Sequence, residues 1–405
     1  MDIENIRNEF PLLGRSIRGK QLIYFDNAAT TPKPRQVISK ICKYYTDETA
    51  SVHRGIHYLS QKVTDQYERS REKIARFINA KSPKEIIFTS GATHGINLVA
   101  RSWGAKFLKE KDEILVSHLD HHSNIVPWQV LCREFGCALK VIPMTPSGEL
   151  ILDDLDNFFR CGKIKLVAVN NVSNALGTIN PVKEIIDKAH EHGAVVLVDG
   201  AQSLPHISVD VSELGCDFFI FSGHKVFGGT GVGAIYGKKE VLEAMPPFFT
   251  GGSMVSSVKF SETEYASLPS KFEAGTPNIA GVLGLGAAID FVESVGYAAI
   301  QSHEKRLTEY ILERLSEIKG LTLVGTAKNR VPIFSFTLEG VHPHDIGTIL
   351  DQDGIAIRVG HHCCQPIMEF FGIAATARIS LSLYNTVEEI DQFCISLEKV
   401  RDVFP

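Results

Sequence analysis

The sequence predicts an α/β protein: a large domain on a mostly parallel central sheet, then a smaller α/β domain toward the C-terminal end. Three observations predict it. Apolar runs of strand length recur through the middle of the chain, helical stretches separate several of them, and the pattern changes after Gly275. With 405 residues, 44% hydrophobic and 22% charged, the chain can bury a large core and is too long for one ordinary domain.

Residues 1–20 are expected to pack on the small domain, residues 21–280 to form the large domain and residues 281–405 the small one. A helix is expected after Pro34. The strand-like runs are EIIFTS (85–90), EILVSH (113–118), LKVIPM (139–144), KLVAVN (165–170), AVVLVD (194–199), DFFIFS (217–222) and GVGAIYG (231–237). Continuous apolar strands imply a sheet covered on both faces. Among the intervening helices PVKEIIDKAHEHG is the clearest, with Pro181 suited to a first turn and Gly193 to a C-cap. Beyond Gly275 one long helical region runs from about Ala280 to Lys319. Strands LTLVG and PIFSFTL, helix HDIGTILDQDG, strands IAIRVG and RISLSL, and a last helix follow. That last helix opens with Thr386 and Glu389 at capping-box spacing.

A net charge of −5 and a pI near 6.3 give no electrostatic reason to bind nucleic acid. The N-terminal stretch MDIENIRNEFPLL carries acids and no apolar h-region, and no apolar run approaches the roughly 20 residues of a membrane span. A cytoplasmic protein acting on small molecules is expected. Eight cysteines are far too few for a disulfide scaffold, and segments such as QFCISLEKV suit reduced core thiols. Cys363 and Cys364 stand out, in IRVGHHCCQP (357–366). A bond between them is disfavoured, because neighbouring Cα atoms lie about 3.8 Å apart and disulfides want roughly 4.4–6.8 Å.

Ligands of open parallel sheets gather at the carboxyl ends of strands, so the residues after each run are the candidates. Gly91-Ala92-Thr93-His94-Gly95 follows EIIFTS and enters a helix, an arrangement that could hold a phosphate and that elsewhere is only a turn. Asp120-His121-His122-Ser123-Asn124 follows EILVSH. Adjacent residues of an extended chain point to opposite faces, which disfavours a metal on the paired histidines here or at 361–362. Asn174 follows KLVAVN in a loop. Asp199 ends AVVLVD with Gln202 three residues on, as a helix cap or a buried acid. Lys225 follows DFFIFS and precedes a glycine-rich stretch. An ammonium is costly to bury unpaired, so a reactive amine fits that position better than a structural one. An acid and a lysine 26 residues apart, each ending an apolar strand, match what pyridoxal 5'-phosphate requires: an amine for the Schiff base and an acid for the pyridine nitrogen.

The segments NAATTPKP, SVHRGIH, FTSGATHGINLVA, HHSNIVPW, VSNALGT, VLVDGAQS, FSGHKVFGGTGVGAIYG, FEAGTPN, RVGHHCCQP and ARISLSLYNT carry a resemblance along nearly the whole chain. The sequence resembles the class V branch of fold-type I pyridoxal-phosphate enzymes, and within it the cysteine desulfurases of the Suf type. The resemblance implies that Lys225 holds the cofactor, Asp199 faces its pyridine nitrogen, His122 stacks on its ring and Gln202 reaches its phenolic oxygen. It places Thr93, His94, Ser222 and His224 around the phosphate, joined across a homodimer interface by Thr276. It implies Arg378, Asn174 and Arg358 at the substrate, Arg378 as a bidentate fork.

By the same match Cys363 is the nucleophile. Cys364 departs from the family pattern, as does Gly229, where many relatives have proline. The implied reaction turns L-cysteine into L-alanine, with Lys225 carrying the proton and the sulfur left as a persulfide on Cys363. A small sulfur-acceptor protein serving iron–sulfur cluster assembly then takes the persulfide. A free thiol is only slightly ionised at neutral pH, so Arg358, His361 and His362 are candidates to favour the thiolate. Rival readings are a selenocysteine lyase acting on L-selenocysteine, a metal- or redox-sensing protein built on the His-Cys patch, and another class V activity such as a transaminase or kynureninase.

Overall fold

The computed structural model describes residues 2–403. Seven strands form the central sheet: β1 (Ile86–Thr89), β2 (Glu113–Ser117), β3 (Ala138–Ile142), β4 (Ile164–Asn170), β5 (Val195–Asp199), β6 (Phe218–Ser222) and β7 (Gly233–Gly237). Their spatial order is β1-β7-β6-β5-β4-β2-β3. From β6 to β3 every neighbouring pair is parallel, and β7 alone runs against both of its neighbours. All seven expected strands are present, each within two residues of its expected ends. Alternation along the strands fills both faces: Val167 and Val169 enter one core layer, Leu166 and Ala168 the other. The helix expected after β4 spans Val182–Glu191, with Pro181 as its N-cap and Gly193 just beyond its end at φ +71°.

The C-terminal domain has a four-stranded antiparallel sheet of β8 (Leu321–Val324), β9 (Ile333–Leu338), β10 (Arg358–Gly360) and β11 (Thr376–Ser380), in the order β8-β9-β11-β10. The capping box forms: Thr386 N donates to a Glu389 carboxylate oxygen at 3.2 Å and Glu389 N to Thr386 Oγ1 at 3.3 Å.

Four expectations are corrected. The single helical region from 280 to 319 is two helices, Ile279–Val295 and Tyr297–Ser316, because Gly296 takes φ +79° and turns the chain by 75°. A domain boundary at 280/281 falls inside the first of these helices, whose Leu283, Ile289 and Val292 lie in the large-domain core. The small core starts only with Leu307, Ile311 and Leu315 in the second helix. IAIRVG is likewise two strands. Ile355–Ala356 pairs in parallel with Ile23–Tyr24, which brings Ile23 and Phe25 into the small core although they precede the large domain. Residues 1–20 do not pack on the small domain alone. Arg7 pairs with Glu389 at 2.7 Å and Arg18 with Asp351 at 2.8 Å, yet Phe10 and Leu13 are buried in the large core.

No single helix among the described residues is long and apolar enough to cross a membrane. The two helices flanking Gly296 reach that mark only together, and the first of them is core.

Gly200 follows the last residue of β5 so closely against β6 that a Cβ there would stand 1.9 Å from the ring of buried Phe219. Gly200→Ala is therefore expected to destabilise the protein by about 1–3 kcal/mol, the usual cost of overpacking a filled core. A lower urea midpoint would show it, and an unchanged midpoint would mean that the Phe219 ring yields freely.

Candidate active site

The carboxyl ends of β1, β2, β4, β5 and β6 converge on a cavity of about 210 Å³, closed on its other side by the loop between β10 and β11. Asp199, the last residue of β5, is buried there and accepts one backbone bond, from Ala201 N at 3.0 Å. Burial pushes its carboxyl up and the Lys225 charge opposes that push, so a buried cation in this cavity would be well received. Lys225 stands in a single 3₁₀ turn, Gly223–Lys225, directly after β6. Burial above all holds its ammonium below the usual lysine range, with Asp199 pulling the other way and no hydrogen bond contributing. That is the environment of an amine kept reactive.

Near β1, Ser222 Oγ accepts from Ala92 N at 2.8 Å at the start of the helix Ala92–Val99. Thr93 and His224 line the same end of the cavity. His224 is pushed down to about 4 by burial, then by the charges of Lys225 and Lys33, so its ring is neutral. Gln202 is buried and donates to Ala28 O at 2.6 Å.

The paired histidines separate as alternate directions require, but not in the expected sense. His121 lines the cavity. It caps the turn His122–Asn124, its Nδ1 accepting from Ser123 N at 3.0 Å. Burial, then the Lys225 charge, lowers it to about 3, so the imidazole is neutral with its proton on Nε2. His122 points away: its Nε2 accepts from Gln365 N at 3.0 Å, and its backbone N–H donates to Cys363 O at 2.8 Å. Of the two, it is His121 and not His122 that faces the cavity.

His94 is also displaced. One residue further round the helix than Thr93, its Nδ1 accepts from Ser90 N at 3.1 Å and its ring lies against Phe249, outside the cavity. Thr276 sits in an exposed loop away from the cavity of its own chain.

The loop after β10 answers the question posed by its two cysteines. His362 and Cys363 take φ +54° and +57°, a left-handed pair of non-glycine residues that persists only where the surroundings over-determine it. This sharp turn directs Cys363, half-buried, into the cavity. Cys364 goes the opposite way. It is fully buried, its Sγ donates to Asn174 Oδ1 at 3.1 Å, and burial pushes its thiol up to about 12. All eight cysteines are free.

Of the three candidate helpers of the Cys363 thiolate, Arg358 and His362 line the cavity and His361 is exposed. His362 holds Thr376 Oγ1 through Nε2 at 2.7 Å and is lowered to about 2 by burial and then by Arg378, so it offers no charge. Of the three, only Arg358 lines the cavity as a cation.

Arg378 is buried, with Nη1 on Asn174 O at 2.9 Å, Nη2 on Asp26 Oδ1 at 3.1 Å and Nε without a partner. Asn174 lines the cavity but spends its amide on the loop, Nδ2 donating to His362 O at 2.8 Å. Sequence reasoning passed over Asp26 and Asn170, and weighed His121 only as a metal ligand. Asp26 was legible in principle, as the acid of FDNAAT facing a buried arginine. Among the described residues, no group of three or more His, Cys, Asp or Glu side chains is placed to hold a metal ion.

These residues suit pyridoxal phosphate on their own chemistry: a buried acid with one hydrogen bond, an amine with none, and small-residue backbone at a helix N-terminus beside hydroxyls. The contrast between the two thiols has a direct readout. Brief alkylation of the native protein is expected to label Cys363 at least about tenfold faster than Cys364, because attack needs an accessible thiolate. Peptide mapping by mass spectrometry, with exposed Cys42 and Cys161 as internal standards, checks this. Equal labelling would mean that the loop does not hold this turn in solution.

Comparison with known proteins agrees with the geometry. The family model for class V aminotransferases matches residues 23–393. A probable cysteine desulfurase of Halalkalibacterium halodurans is 50% identical over 404 residues, spanning 100% of this chain and 99% of that one. Among solved structures, the apo cysteine desulfurase of Thermococcus onnurineus superposes with a TM-score of 0.94 at 38% identity, covering 99% of this chain and 98% of that one. The S-sulfonic acid form of the cysteine desulfurase CsdA from Escherichia coli gives 0.93 at 34% identity, with both chains covered completely. Matched over almost all of its length in sequence and in fold, the chain belongs to the class V aminotransferase family.

Proposed function

We propose that this protein is a pyridoxal-phosphate-dependent cysteine desulfurase of the Suf type, with Lys225 as the attachment point and Cys363 as the sulfur-accepting nucleophile. Class V membership implies dependence on pyridoxal phosphate, and relatives named cysteine desulfurase run the full length of the chain. The observation that carries the residue assignment is the placement of one thiol, Cys363, in the same small cavity as Lys225 and Asp199 while its neighbour is sealed in the core.

Lys225 would hold the cofactor, Asp199 would face its pyridine nitrogen, His121 would lie along its ring, and Ser222, Thr93 and His224 would surround its phosphate. When bound, the group serves as an electron sink for the substrate's Cα. Arg378 and Arg358 hold the carboxylate of L-cysteine. The bonds of its Nη atoms to Asn174 O and Asp26 Oδ1 keep the Arg378 guanidinium plane fixed before substrate arrives, and its Nε is without a partner. The Lys225 amine, neutral at lower pH than a free lysine, takes the Cα proton. Cys363 Sγ, as thiolate beside Arg358, attacks the substrate sulfur. The new S–S bond forms as the Cβ–S bond breaks; the proton shed by the substrate thiol goes to Cβ, and the proton held by Lys225 returns to Cα to complete L-alanine. Cys363, still partly open to solvent, presents the persulfide to a sulfur-acceptor protein. Thr276 reaches a second copy's phosphate site in a homodimer, which fits its exposed loop.

A pair of substitutions tests the assignment. Cys363→Ala is expected to keep the cofactor's visible absorbance and to lower alanine formation on the order of a thousandfold, the scale on which a lost nucleophile acts. Cys364→Ala is expected to cost about 1–2 kcal/mol of stability by leaving a cavity and to stay within several-fold of wild-type turnover. Equal activity in the two variants would refute Cys363 as the nucleophile.

A further inference from the structure

The segment NAATTPKP crosses beneath the turn that carries Lys225, and its contacts there converge on one atom. The carbonyl oxygen of His224, the peptide oxygen joined to Lys225, has four donors within reach. They are Lys33 Nζ at 2.7 Å, Thr31 N at 3.1 Å, Thr31 Oγ1 at 3.1 Å and Thr30 Oγ1 at 3.2 Å. Thr31 Oγ1 also accepts from Phe227 N at 3.1 Å, so the same threonine grips both ends of the turn. Phe227 takes φ +63°, a costly conformation for an aromatic residue unless its surroundings impose it.

Lys33 is the unusual member of this group. It is half-buried, and burial alone pushes its ammonium down to about 7, with no carboxylate beside it to offset the cost. A carbonyl has two lone pairs, and backbone N–H and hydroxyl donors already reach this one. Lys33 adds a further donor at 2.7 Å where the others would suffice for satisfaction alone, and its bond is charge-assisted whenever the amine is protonated. Pro32 and Pro34 flank it and fix the backbone direction from which its side chain rises.

We propose that Lys33 is a positioning residue for Lys225: with Thr30 and Thr31 it pins the His224 carbonyl and so fixes the backbone from which the cofactor-bearing side chain enters the cavity. This rests on the reading of Lys225 given above. The amine of Lys225 has to leave the cofactor and return within each turnover, so its side chain stays mobile. The accuracy of that return then comes from a main chain that does not move.

The test is titration of the apoprotein with pyridoxal phosphate, followed by visible absorbance, with a urea midpoint measured in parallel. Lys33→Met is expected to bind the cofactor roughly tenfold more weakly, the scale of one charge-assisted hydrogen bond, and Lys33→Gln, which keeps an N–H donor, to recover part of the loss. A residue that is only structural would lower the midpoint and leave cofactor attachment alone. Wild-type attachment in folded Lys33→Met would overturn the proposal. Should that variant not fold, Thr30→Val removes a different donor to the same oxygen, and unchanged attachment there overturns it equally. Lys225→Ala separates the two ideas: persistence of the wild-type absorbance in it would sink the reading of Lys225 itself. Its loss there, with Lys33→Met unaffected, would sink the clamp alone.

Discussion

Asn174 joins the two halves of the site. Rooted in the loop after β4 of the large domain, it gives Nδ2 to His362 O, takes Cys364 Sγ on Oδ1 and offers its backbone oxygen to Arg378 Nη1. Three residues of the small domain thereby hang from one residue of the large domain. Each bond is buried, where an unpaired polar atom costs more than a made one contributes. The left-handed turn at His362 and Cys363 is held open by these bonds, and the opposite fates of the two thiols follow from that turn.

Burial does further work on the charges. His121, His224 and His362 are all driven toward the neutral form, each with burial as the first cause. The cations left around the cavity are Lys225, Arg358 and Arg378, and the acids are buried Asp199 and, beside Arg378, half-buried Asp26. A cavity so composed favours a zwitterionic amino acid and an anionic phosphate. The histidines supply shape and hydrogen bonds, not charge.

Much of this was legible in the sequence because the central strands are buried on both faces and read as unbroken apolar runs. The ends of those runs pointed to Asp199 and Lys225, whereas Ser222 came only with the family resemblance. The errors have local causes. His121 and His122 could not be told apart because the chain leaves extended geometry between them and enters a 3₁₀ turn. Helix Ile279–Val295 is apolar nearly all round, so no polar face marked which domain it served, and Gly296 within a helical pattern gave no sign of a 75° bend. The place of Ile23–Tyr24 in the small domain depends on pairing with a strand more than 300 residues away, which no local pattern encodes.

That last pairing bears on how the protein is made. Ile23 and Tyr24 leave the ribosome more than 300 residues before their partners Ile355 and Ala356. Asp26 likewise waits for Ser380 and Arg378. The central sheet is complete by Gly237 and can gather during synthesis, while Ile23–Tyr24 has no strand to pair with until Ile355–Ala356 has been made. The wall of the cavity that carries Arg358, Cys363 and Arg378 is therefore added after the wall that carries Asp199 and Lys225.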